Sequence, residues 1–150
     1  MRYAIYFTPP ASDPLTRATQ AWLGRSAFTG ESLPALSQGD LSAEEVTTLT
    51  AEPRRYGFHA TLVAPFRLRD GTTEAALLDA ADAFCAGREA FELPPLEISS
   101  MGPFFALRPS RRSVEIEALA ADAVDHFAPF AVLSSHSFAR SKAAGAIRYA

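Results

Sequence analysis

Residues 54–69, RRYGFHATLVAPFRLR, restrict the fold more than any other part of the chain. Aromatic and β-branched residues fill 56–63, and Pro53 and Pro65 stand on either side, so the centre reads as a β-strand. On a strand Phe58, Ala60 and Leu62 point one way, and His59, Thr61 and Val63 the other. One face is then apolar, and the other carries an imidazole and a hydroxyl two residues apart. Same-face neighbours on a strand lie roughly 7 Å apart, within reach of one phosphate-sized group. Arg54, Arg55, Arg67 and Arg69 flank the strand. No acid falls within 54–69 or within 131–150, although those windows hold seven of the 14 cations. A small basic island in an acidic body suits a small anion better than a long nucleic-acid track.

The remaining segments build around this strand. Residues 2–8 alternate as a first strand and stop at Pro9 and Pro10. Asp13 and Pro14 start a helix whose apolar stripe is expected through Leu15, Ala18 and Trp22, with Gly24 closing it. Trp22 is expected in the core. Residues 25–41 show no period and read as a long loop. Ser42 and Glu45 have capping-box spacing, which predicts a short helix through Leu49. After a turn at Asp70 and Gly71, Thr72 or Thr73 caps a helix with Leu77, Leu78, Ala81, Phe84 and Cys85 on one stripe, ended by Gly87. Cys85 is expected as a small buried hydrophobe.

Residues 96–99 and 103–108 predict two strands separated by a tight turn or bulge at Met101 and Gly102. Ser113 caps a further helix with Glu115 and Glu117 near its positive end, and Pro129 ends it. Val132 and Leu133 can add a short strand. The order of elements predicts an α+β fold, an antiparallel-dominated sheet with helices on one face. With 150 residues the chain is long enough to bury a real core. One cysteine excludes an internal disulfide and a cysteine zinc cage. The sequence shows no signal-peptide pattern and no membrane span, so a cytoplasmic location is expected.

RYGFHATLVAPFRL resembles the first signature of the two-histidine (2H) phosphoesterase superfamily, in the branch of unknown function found with phosphonate-utilisation genes. RYAIYF, FELPPLEI, FFALRP and IEALAADAVDHFAPF resemble that branch too, so the likeness covers residues 1–130. The resemblance implies two similar lobes facing each other across a cleft, each giving a His-x-[Thr/Ser] from a strand. One histidine activates the attacking oxygen and the other protonates the leaving oxygen of a cyclic or linear phosphodiester. No metal and no cofactor is implied. By position His59 is the first-lobe acid or base and Thr61 its phosphate contact. Arg55 and Arg67 share their face if strand parity persists, which makes them candidate substrate-binding groups. A small phosphate-bearing ligand is the implied partner, without long nucleic acid or membrane.

Two departures stand out. Lysine usually follows His-Ala-Thr-Leu in the branch, and Val63 stands here; the missing cation is expected to weaken phosphate binding by on the order of 1–3 kcal/mol. The second His-x-[Thr/Ser] is absent: His126 precedes Phe127 and Ala128, and His136 precedes Ser137 and Phe138. His126 is expected to pack or cap at a helix end. Residues 1–130 thus read as an incomplete domain, one lobe with part of the second, and 131–150 as an atypical tail. Two functions compete. One is a metal-independent hydrolase of a small cyclic phosphate or phosphodiester linked to phosphonate metabolism. The other is a non-catalytic half-site that binds a phosphate-bearing ligand. A symmetric dimer pairing two copies of His59 would restore the acid–base pair.

Overall fold

A computed structural model describes residues 1–102 and 104–132. His136, Leu133 and nearly all of the expected tail lie outside the described residues. The fold is mixed α+β with antiparallel pairings. Its described residues form two compact units, one of Met1–Tyr6 with the chain from Thr61 onward, the other of Phe7–Ala60.

In the first of these units, β1 (Tyr3–Phe7), β2 (Ala60–Leu68) and β5 (Ala131–Val132) form a sheet in the order β1-β2-β5, although the end of β1 and the start of β2 are assigned to the other unit. β2 runs antiparallel to β5, with Arg67 opposite Val132 and Leu68 opposite Ala131. Pro65 does not bound the strand as expected but lies within it. The described part of β5 reaches only Arg67 and Leu68 and does not extend opposite Pro65. Helices α3 (Glu74–Ala86) and α4 (Val114–Phe127) pack against this sheet. Val63 and Phe66 of β2 meet Leu77 and Phe84 of α3 and Ala123, Val124 and Phe127 of α4. Phe127 is 1% exposed. Burying a ring of that size contributes about 1.5–3 kcal/mol. Val63 and Phe66 share one core while three residues apart, so strict alternation does not hold across Pro65.

The caps explain why α3 and α4 begin where they do. A short hydroxyl side chain at each start accepts a backbone N–H that has no partner inside the helix. Thr73 Oγ1 accepts the Ala76 N–H at 3.2 Å. Ser113 Oγ accepts the Ile116 N–H at 3.3 Å. Cys85 is exposed, which corrects the expectation of burial. Leu77, Ala80, Ala81 and Phe84 make the inward stripe at i, i+3, i+4 and i+7, and Cys85 falls one position beyond it. β3 (Leu96–Met101) and β4 (Phe104–Pro109) form a separate antiparallel hairpin that closes at the Met101–Phe104 pair.

The other unit contains α1 (Pro14–Leu23), α2 (Ala43–Leu49) and a one-turn 3-10 helix at Pro53–Arg55. Asp13 accepts the Leu15 N–H at 2.8 Å, and Gly24 ends α1 at φ 66°. Ser42 and Glu45 complete the capping box in both directions. Trp22 is exposed, another correction. The buried face of α1 runs through Thr16 and Leu23, and the Thr16 hydroxyl donates to the Pro9 carbonyl at 3.2 Å.

Candidate functional site

The chain does not enter the central strand at residue 56. Gly57 takes φ +72°, Phe58 bends, and the ladder starts at Ala60. A left-handed residue interrupts an extended run, so the alternation expected through 56–59 fails. His59 therefore precedes β2, while Thr61 lies inside it.

His59 is buried, 3% exposed, although strand alternation puts it on the face opposite the apolar one. Its Nδ1 lies 2.9 Å from the Gly57 carbonyl oxygen. A carbonyl only accepts, so Nδ1–H donates and the lone pair of the neutral ring sits on Nε2. The Tyr56 ring lies beside it with centroids 6.2 Å apart. The Thr8 hydroxyl donates to the Phe58 carbonyl at 3.1 Å and fixes the peptide that leads into His59.

Burial holds the His59 imidazole below its ordinary value of 6.5, and the bond to the Gly57 carbonyl opposes that less strongly. With the folded value lower, the unfolded chain takes up the proton first as acid is added. This contribution to stability is complete above about pH 6.5 and is lost as pH falls through the folded value. His59→Gln is therefore expected to flatten the acid side of the stability curve. Urea unfolding of both proteins between about pH 7.5 and 5 checks this; parallel curves would refute it.

The arginines divide by role. Arg54 turns inward: Nε donates to the Leu23 carbonyl at 2.8 Å, and Nη2 donates to Thr50 Oγ1 at 2.6 Å and the Thr47 carbonyl at 3.3 Å. It satisfies carbonyls at the ends of α1 and α2 and holds this structural place instead of facing an anion. Arg55 is exposed and pairs with Glu52 at 3.4 Å. A surface contact of that kind yields readily to a stronger anion. Arg67 is exposed on β2, and Thr61 is half-buried there. Arg69 donates toward the Ala128 and Ala131 carbonyls. His59 and Arg55 thus belong to one compact unit, Thr61 and Arg67 to the other.

His126 packs as expected of a helix-end histidine. Its ring lies 5.1 Å from Phe84 and 5.0 Å from Phe127, with Nε2 3.0 Å from the Ala80 carbonyl. Gly57 and Thr8 are the parts of the site that sequence reasoning missed. The glycine two residues before the histidine was the available signal. Among the described residues, no group of three or more His, Cys, Asp or Glu could hold a metal ion. No helix there is long and apolar enough to cross a membrane.

Residues 61–146 match the family described as "Protein of unknown function (DUF1045)". Two curated relatives carry the name ribose 1,5-bisphosphate phosphokinase PhnN. The one from Janthinobacterium sp. (strain Marseille) is 40% identical over 126 residues, covering 84% of this chain and 28% of that protein. The one from Laribacter hongkongensis (strain HLHK9) is 36% identical over 124 residues, covering 83% and 29%. The chain therefore spans less than a third of the length of either relative. No solved structure matches.

Proposed function

Since the chain belongs to the DUF1045 family, of unknown function, we propose that it carries one His-x-Thr of a phosphoesterase site. The proposed substrate is a small cyclic phosphate or phosphodiester linked to phosphonate metabolism. The observation that carries the reading is the 2.9 Å contact between His59 Nδ1 and the Gly57 carbonyl. It leaves Nε2 of the neutral ring as the basic nitrogen, and the lowered pKa keeps the ring neutral at about pH 7. A general base needs that protonation state. In this reading Nε2 takes the proton from the attacking water and the Thr61 hydroxyl donates to a phosphoryl oxygen. Arg55 and Arg67 attract the anion. Metal independence and the phosphonate link rest on the 2H resemblance.

The kinase activity in the relatives' names is not transferred to this chain. Its sequence has one lysine, Lys142, and no G-x-x-x-x-G-K-[ST] run to cradle nucleotide phosphates. The names do direct attention to ribose phosphates. Hydrolysis of a cyclic phosphate across C1 and C2 of ribose gives a ribose 1- or 2-phosphate, according to which P–O bond breaks, which makes it a suitable test compound.

A second reading is a half-site that binds a phosphate-bearing ligand without turnover. The 3% exposure of His59 favours it. The two readings separate when 2′,3′-cyclic nucleotides and ribose 1,2-cyclic phosphate are offered with and without chelator. Hydrolysis that survives chelation and falls about 10²–10⁴-fold in His59→Ala supports the phosphoesterase. Phosphate binding without turnover, lost in the same variant, supports the half-site. Activity that requires zinc contradicts both.

A further inference from the structure

We propose that the turn spanning residues 25–33 is a positioning buttress for His59, acting through Ala27 on Gly57 to set which ring nitrogen carries the proton. The contact is close: a Cβ built on Gly57 would lie 2.9 Å from both the Cα and the Cβ of Ala27. The Gly57 backbone therefore rests directly on Ala27. At φ +72° Gly57 turns its carbonyl back toward the residue two positions on, where it receives the Nδ1–H of His59. Ala27 stands on the side of Gly57 where a Cβ would project and so resists a shift of that residue toward it.

A buttress must be stiff, and the turn is tied across itself. Leu33 N–H donates to the Gly24 carbonyl at 2.9 Å, Ser26 N–H to the Glu31 carbonyl at 3.0 Å, and Gly30 N–H to the Ser26 carbonyl at 3.0 Å. Arg25 and Ser32 form an antiparallel bridge at its base. Thr8 supplies a second anchor by holding the Phe58 carbonyl. Together they fix the peptides before His59 in a unit that contains all of these residues. A long loop placed only for reach would not need such cross-ties.

Ala27 and Thr8 are thus positioning residues that act through the histidine. The proposal rests on the phosphoesterase reading for its catalytic meaning, but its direct readout is independent of turnover. Nitrogen-15 NMR of histidine-labelled protein at about pH 8, where the ring is neutral, is expected to show His59 with Nδ1 protonated. In Ala27→Val the side chain enlarges against Gly57, and the Nε2–H form is expected to appear. Any wild-type phosphodiesterase activity should fall about a hundredfold in that variant, the loss typical of a ~1 Å displacement at a reacting group. Its pH profile should move as well. Thr8→Val, which removes only a hydroxyl, is expected to change the tautomer in the same direction and covers the case in which Ala27→Val does not fold. Nε2–H already dominant in the wild type, or both variants folded with unchanged tautomer, would overturn the proposal. The expected tautomers in a protein that hydrolyses none of the phosphodiesters support the buttress and remove the catalytic reading.

Discussion

Replacing Val63 with lysine is expected to destabilise the protein by about 3–5 kcal/mol, the range for an uncompensated buried charge. Val63 is 8% exposed and packs with Phe66, Phe84 and Phe127 among others. The substitution is informative because lysine is usual at this position in the branch that the sequence resembles. In this chain the position belongs to the interior. The measurement is the urea midpoint, with Val63→Leu as a control for size. A lysine variant as stable as the wild type would show that the side chain escapes to solvent and that position 63 is no part of the core.

Gly57→Ala is the second large effect. Gly57 sits at φ +72°. An L-residue held in that left-handed region costs about 1–2 kcal/mol. The new Cβ must also push into the Ala27 backbone. Overpacking of that kind costs about 1–3 kcal/mol more. The expected total is about 2–5 kcal/mol in urea unfolding. Adding Ala27→Gly should recover only part of it, because the contact to the Ala27 Cα and the backbone penalty persist. Full recovery would mean that the left-handed conformation is not required.

These two positions also show which features are legible in the sequence. The caps at Asp13, Ser42, Thr73 and Ser113 can be read because each is a local bond between a short polar side chain and a backbone N–H nearby. The α+β order follows from the same signals and from hydrophobic periodicity. Helix phase is harder to read. Trp22 and Cys85 read as inward-facing, yet each lies about 100° from the residue that faces the core, a difference that apolar identity alone does not resolve. The start of β2 is misplaced by composition, because YGFH looks strand-like while the glycine conformation is set by a neighbour 30 positions earlier, Ala27. His59 is identifiable from its motif. Its burial is not, since that depends on tertiary packing.

Arg54 has a mechanical consequence. Its planar guanidinium grips the end of α1 through Leu23 and the end of α2 through Thr47 and Thr50. Lysine offers a single ammonium and no rigid fork, so it would not reproduce this geometry. The two helix ends are yoked, and neither can slide along its axis without stretching the grip on the other. A displacement that begins at α2 must therefore travel to the Leu23–Gly24 corner and the base of the turn that follows it.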